Sequence, residues 1–177
     1  VTAEHPDDPL KFGDLVGVKN TKSAPGRKFK VRSITESGGG VDDWLEGLTF
    51  SFKNISDKPI TYIRFELQFP DTTSAGPLMV YRTLGIGLPP KESGDEVRNT
   101  KPLALDPGDT VSFTLPAEHL QKIKDFLARG KFQLTEMNKV VVQILYLIFD
   151  DRVKWTIGGA YYKPNPSAPG GYERIKQ

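Results

Sequence analysis

The side chains able to act as acids, bases or nucleophiles are few and poorly placed for shared chemistry. Histidine occurs twice, at His5 and His119, and cysteine is absent. Disulfides, thiolate metal sites and cysteine nucleophiles are therefore excluded. His5 lies in the proline-broken stretch His5-Pro6-Asp7-Asp8-Pro9, and His119 falls in the first turn of an expected helix. A Ser-His-Asp arrangement needs a base held by its neighbours, and neither position promises that. Adjacent carboxylates occur at Asp7-Asp8, Asp42-Asp43 and Asp150-Asp151. Glycoside hydrolysis needs two carboxyls facing each other across a bond, whereas neighbours on a strand or turn point apart. No acidic loop has the spaced oxygen ligands of an EF-hand, so solvated turns are the plainer reading, with calcium the alternative. Ser37-Gly38-Gly39-Gly40 lacks the basic and hydroxyl pair of a phosphate loop. Gly85-Ile86-Gly87 runs into Pro89-Pro90 and cannot open a dinucleotide-binding helix. The expectation is a chain with no catalytic residue, no metal site and no cofactor.

Binding chemistry has better candidates. Trp44, Tyr162 and Tyr172 are available to stack on sugar rings, which makes a polysaccharide partner one reading. Trp155 and Tyr161 share the apolar parity of the last strand and are assigned to the core. Lys22, Arg27, Lys28, Lys30 and Arg32 form a basic stripe, suited either to an anionic polymer or to protecting a strand edge. Asn54-Ile55-Ser56 matches a glycosylation sequon. The 24 basic and 22 acidic side chains leave a net charge of +2, too little to attract nucleic acid globally. No apolar run approaches the roughly 18 residues of a membrane span. The longest, Val140 to Phe149, is interrupted by Gln143. The first residue is Val1, so a removed signal peptide is one reading of the N-terminus. Lack of cysteine points to a bacterial rather than a eukaryotic secreted domain.

The elements that must position these residues are mostly strands. Phe29 and Val31 alternate with Lys28, Lys30 and Arg32; Leu48, Phe50 and Phe52 alternate with Thr49, Ser51 and Lys53. The same period recurs at Ile63, Phe65, Leu67 and Phe69, and at Val111, Phe113 and Leu115. Half-buried antiparallel strands produce this pattern, because successive side chains point to opposite faces. Asn54 to Pro59 and Asp106-Pro107-Gly108-Asp109 supply turn chemistry between them. One helix is expected after Pro116, with Leu120, Ile123, Phe126 and Leu127 as its apolar stripe and Gly130 as its stop. Val140 to Phe149 is apolar on both faces: Val140, Val142, Ile144, Tyr146 and Ile148 on one, Val141, Leu145, Leu147 and Phe149 on the other. A bare hydrophobic row is rarely tolerated, so the helix stripe or a partner should cover Leu145, Leu147 and Phe149. Val153, Trp155, Ile157, Gly159 and Tyr161 make a last alternating strand.

Asn54-Ile55-Ser56-Asp57-Lys58-Pro59-Ile60 resembles the turn between the second and third strands of bacterial immunoglobulin-like and fibronectin-III-like domains. Leu105 to Val111 resembles the Pro-Gly turn before a later strand of those domains, and Phe149 to Gly159 is similar to their last hairpin. The likeness spans residues 45 to 162 and implies fold and a secreted setting, not an activity.

The fold class expected is mostly β: an immunoglobulin-like antiparallel β-sandwich with one inserted amphipathic helix. Residues 27–162 form the sandwich, 163–177 a flexible proline- and glycine-rich tail, and 1–26 an extension with a linker from Asn20 to Gly26. Within the extension, Leu10, Phe12, Val16 and Val18 alternate as a strand would. Such a strand either completes its own sheet or is lent to the next subunit, which gives an open filament. The functional expectation is a non-catalytic interaction or structural module, extracellular, periplasmic or at the cell surface, with a protein partner that includes itself. A carbohydrate-binding module and an enzyme with an unrecognised site are the alternatives.

Overall fold

The computed structural model describes residues 10–12, 34–35, 44–89, 101–137, 139–156, 160–168 and 171–175. Where apolar residues alternate, the chain is extended: β3 (Thr49–Asn54), β4 (Ile60–Phe69) and β6 (Thr110–Thr114) follow the expected period. The remaining strands are β1 (Leu10–Phe12), β2 (Ile34–Thr35), β5 (Met79–Gly87), β7 (Lys139–Phe149), β8 (Lys154–Thr156), β9 (Ala160–Pro164) and β10 (Tyr172–Arg174). One α-helix, α1 (Ala117–Arg129), separates β6 from β7. The protein is mostly β, and all its described strand pairs are antiparallel.

Pairing divides the strands into two sheets. The smaller has the order β1-β3-β6; the larger runs β10-β9-β8-β7-β4-β5, with β2 also paired to β7. Phe65 of β4 meets Phe50, Phe52 and Phe113 of the smaller sheet, with ring centroids 5.3, 5.6 and 4.9 Å apart. The main apolar cluster lies along this contact and extends to Trp44, Leu120, Ile123, Leu127 and Trp155.

The two expected turns are hydrogen-bonded to each other. Asp109 N–H donates to Asp106 C=O at 3.0 Å, and Gly108 takes the positive φ of 89° that the third position of such a turn requires. Gly108 N–H then donates to Asn54 C=O, while Asn54 N–H donates to Asp109 C=O, both at 2.9 Å. The turn after β3 is thereby tied to the turn before β6.

The helix stops differently from the expectation. Gly130 keeps a negative φ of −82°, and Lys131 is the residue in the left-handed region, at 65°. Lys131 N–H donates to Ala128 C=O and Phe132 N–H to Leu127 C=O, the paired bonds of a Schellman end. A Cβ at 130 would lie 2.7 Å from Met79 Cε, the far end of a flexible side chain that can shift. Leu120, Ile123 and Leu127 of the apolar stripe are buried and Phe126 is half-buried, its ring 5.9 Å from Tyr81 of β5.

Strand β7 also departs from simple alternation. Phe65 pairs with Ile144 and Arg64 with Tyr146, so Leu145 is an extra residue in the ladder. This bulge reverses the parity beyond it. Val140, Val142, Ile144, Leu147 and Phe149 belong to the core cluster, whereas Tyr146 and Ile148 do not. The row Leu145-Leu147-Phe149 is therefore not one face. Leu147 and Phe149 are buried inside the core and Leu145 is half-buried.

The ends are less separate than the sequence suggests. Leu10–Phe12 joins the smaller sheet, so residues 1–26 are not wholly an appendage. Residues 163–177 are not a loose tail throughout, because Tyr172–Arg174 pairs with Tyr162–Pro164 to close a hairpin.

Candidate functional site

Strand alternation places one set of side chains on the core face and its complement on the outward face of the larger sheet. Register carries that outward face across five strands. Arg64 and Glu66 of β4 share it with Gln143 and Tyr146 of β7, which in turn align with Lys154 and Thr156 of β8. Lys154 is opposite Tyr162 of β9, and Tyr162 opposite Arg174 of β10; Tyr172 belongs to the same face. The result is a band of tyrosines and cations from the middle of the sheet to its β10 edge.

Within this band Lys154 Nζ lies 4.1 Å from the centre of the Tyr146 ring and 5.4 Å from that of Tyr172. An ammonium over a ring face is attracted by the ring quadrupole, by about 0.5–1 kcal/mol at exposed sites. Tyr146, Lys154, Tyr162 and Tyr172 are all half-buried, as packed but reachable side chains are. Tyr62 stacks at 5.8 Å from Tyr146 but is itself buried. Its ring lies over Gly85, where a Cβ would come within 2.7 Å of the Tyr62 hydroxyl. The band is thus anchored at its inner end by a close approach that only glycine permits.

Beside the tyrosines is a polar group. Glu66 is only 4% exposed, and its carboxylate accepts from Gln68 Nε2 at 2.7 Å and from Arg82 Nε at 3.1 Å. Gln68 also donates to Gln143 Oε1, linking β4 to β7. A buried carboxylate demands such partners.

Of the ligand-facing aromatics expected from sequence, Tyr162 and Tyr172 are brought together here. Trp44 is not. It is 7% exposed, belongs to the core, and donates its indole N–H to Leu134 C=O at 3.0 Å. A tryptophan just ahead of a strand satisfies its one donor inward, which removes it as an exposed platform. Tyr146 and Lys154 are what sequence reasoning missed. Alternation assigns Tyr146 to the core until the bulge at Leu145 is known. The available signal was the pair Gln143 and Tyr146, polar-tipped residues in the otherwise apolar run from Val140 to Phe149.

Leu10 and Phe12 pair with Asn54 and Phe52 of the same chain, while Val16 and Val18 lie outside the described residues. The basic stripe Lys22, Arg27, Lys28, Lys30 and Arg32 also lies outside them, as do His5, Asp7-Asp8, Asp42-Asp43 and Ser37–Gly40. His119 sits in the first turn of α1 with Nδ1 at 2.9 Å from the Tyr81 hydroxyl. The sequon asparagine, Asn54, is fully buried with its side-chain amide engaged, so in the folded protein it is a structural residue. Among the described residues, no group of three or more His, Cys, Asp or Glu is gathered as a metal site would require. No helix among them is long and apolar enough to cross a membrane.

The pair Asp150-Asp151 forms a turn rather than a site. Lys58 Nζ lies 2.6 Å from Asp151 Oδ2, and Val153 N–H donates to Asp151 Oδ1. The hydrogen bond to Asp151 raises the Lys58 ammonium above its ordinary 10.5. Partial burial pushes the Asp151 carboxyl upward, yet the bonds from Lys58 and Val153 outweigh it and hold the group below 3.8. A lowered carboxyl adds stability above its unfolded value, and this is lost as pH falls through the folded one. A raised ammonium adds stability below its unfolded value, lost as pH rises through the folded one. Both side chains are well exposed, at 47% and 39%, so solvent screening keeps the effect small. Lys58→Ala should cost under about 1 kcal/mol in urea unfolding at pH 7, and less in high salt. The difference from the parent protein should vanish below the Asp151 titration.

Comparison with known proteins finds no matching family model, no matching curated protein and no matching solved structure.

Proposed function

We propose that this chain is a non-catalytic binding module of a secreted or cell-surface protein, an immunoglobulin-like sandwich whose ligand is a carbohydrate. The observation that carries the reading is the outward band of the larger sheet, where Lys154 lies between the rings of Tyr146 and Tyr172. Sugar rings present C–H faces that pack on tyrosine, and their hydroxyls find donors and acceptors in amides such as Gln68 and Gln143. An extended sheet face suits a polymer lying across it better than a small molecule, which takes a concave pocket. Self-assembly through the N-terminal strand remains compatible with this role, because β1 occupies the outer edge of the smaller sheet, away from the band.

The test is sedimentation of the purified protein with a panel of insoluble and soluble polysaccharides, scored alongside release of reducing ends. Binding without hydrolysis, weakened about tenfold by Tyr162→Ala, is the expected result. Release of sugar would replace this reading with the enzymatic one. Binding unchanged by Tyr162→Ala and Tyr172→Ala would remove the outward band from it.

A further inference from the structure

We infer that folding and N-glycosylation exclude each other at Asn54, so this chain folds only where Leu105 reaches that asparagine before an oligosaccharide transferase does. The tripeptide Asn54-Ile55-Ser56 has the form of an acceptor, and acceptors of this form are expected on surface loops. Its middle residue obeys that expectation, since Ile55 is exposed. The asparagine that would carry the sugar does not, being fully buried at the end of β3. In the transfer, Nδ2 forms a bond to C1 of a sugar held on a lipid diphosphate. The C1–O bond breaks, the diphosphate leaves with the bonding pair, and Nδ2 gives up one of its two protons to a base. In the folded protein each of those protons already has an acceptor, Lys58 C=O at 2.8 Å and Leu105 C=O at 2.9 Å. A C–N bond of about 1.45 Å along either direction puts the sugar carbon far inside contact distance of a carbonyl oxygen.

Turning the side chain outward does not relieve the conflict. Oδ1 would give up the Ser56 N–H and the Ser56 hydroxyl, and both carbonyls would lose their amide donor. The backbone cannot follow, because Asn54 N–H donates to Asp109 C=O and Asn54 C=O accepts from Gly108 N–H. The hydroxyl that completes the acceptor tripeptide is engaged too, 2.7 Å from Asn54 Oδ1. Buried polar groups held this completely are costly to unpair. Order of synthesis decides the outcome before folding. Leu105 lies 51 residues after Asn54, and Gly108 and Asp109 follow it. The emerging chain therefore presents the amide to a transferase until the second turn has been made. A transferase acting on emerging chains modifies Asn54 first and prevents the fold, whereas one meeting the finished protein finds no acceptor. A secreted role then requires an export route that leaves Asn-X-Ser asparagines unmodified, and this last step alone rests on the secreted reading above.

Translation of the full chain, behind a cleavable signal peptide, into endoplasmic-reticulum microsomes tests the first half. The chain is expected to gain an endoglycosidase-sensitive glycan. Trypsin should then cut the Asn54-containing fragment of glycosylated chains at least about tenfold faster than that of unmodified chains, since cleavage tracks the open population. Ser56→Ala cannot be an acceptor but keeps both Nδ2 bonds, and should stay resistant. The parent chain translated with an excess of competing acceptor peptide gives unmodified protein of unchanged sequence, so the comparison does not depend on how well the variant folds. For the second half, the folded, purified chain is offered to a solubilised transferase with lipid-linked chitobiosyl diphosphate. A peptide of residues 50–60 should be modified at least about tenfold faster than the folded chain. Glycosylated chains as resistant to trypsin as unmodified ones would overturn the exclusion, and so would a folded chain modified at the rate of the peptide. Microsomal chains that take up no glycan would overturn it as well. Each of these results leaves the carbohydrate-binding reading in place.

Discussion

Phe65→Ala is expected to cost about 3–5 kcal/mol of folding stability, the range for deleting a fully buried aromatic ring. Phe65 has no exposed surface, and its ring meets three others, Phe50 and Phe52 of β3 and Phe113 of β6. Two of these contacts are edge-to-face, with interplanar angles of 89° and 78°, the geometry that aromatic pairs favour beyond simple burial. Position adds to the effect. Both ladders of β4 shift register beside Phe65, against β5 between Phe65 and Leu67 and against β7 between Arg64 and Phe65. Removing the ring takes away the contact that joins the sheets at the place where pairing is least regular. Urea unfolding should show a lower midpoint, and thermal unfolding a fall of about 10 °C for a chain of this size. Phe65→Leu keeps an apolar side chain and should cost only about 1–2 kcal/mol. A near-neutral Phe65→Ala would mean that the two sheets are not joined here.

Much of the core was legible because β3 and β4 keep their phenylalanines on one face and mostly polar residues on the other. In β3 and β4 the alternation of Phe50, Phe52, Ile63, Phe65 and Leu67 with polar neighbours has one solution for which side is inward. The turn at Pro107-Gly108 was legible because its conformation needs those residues. The outward band was only half legible. Tyr162 and Tyr172 stand in a segment rich in proline and glycine, which reads as loose, yet β9 and β10 pair there around a short loop. Pairing between neighbouring segments is a tertiary outcome that alternation does not encode over three residues. Tyr146 was hidden for a different reason: a strand apolar on both faces carries little phase, so a one-residue bulge shows only in the odd spacing of Gln143 and Tyr146. Trp44 shows the converse. Its position before β3 gives no parity at all, and only the acceptor at Leu134 fixes it inward.

Asn54→Ala is expected to cost about 3 kcal/mol, although the change removes little apolar area. The Asn54 side chain uses all of its hydrogen-bonding capacity. Its Nδ2 donates to Lys58 C=O at 2.8 Å and to Leu105 C=O at 2.9 Å. Its Oδ1 accepts from Ser56 N–H at 3.0 Å and from the Ser56 hydroxyl at 2.7 Å. Each neutral bond contributes about 1 kcal/mol net, and orphaning a buried acceptor costs about 1–3. The bond to Leu105 matters most, because it is buried and crosses 51 residues to the segment leading into β6. Leu105 is also held by reciprocal backbone bonds with Ile60, each 3.0 Å long, so the whole turn region shares the loss. Ser56→Ala leaves both Nδ2 bonds intact and should cost about 1 kcal/mol. Asn54→Asp separates this account from a simple loss of packing. The acid is nearly isosteric, but it sets an oxygen against the carbonyls of Lys58 and Leu105 and buries a charge without a partner. Asn54→Asp should therefore be at least as destabilising as Asn54→Ala at pH 7, and should recover part of the loss where the carboxyl protonates and can donate again. An Asn54→Asp protein as stable as the parent would show that the Nδ2 donors do not hold the two turns together.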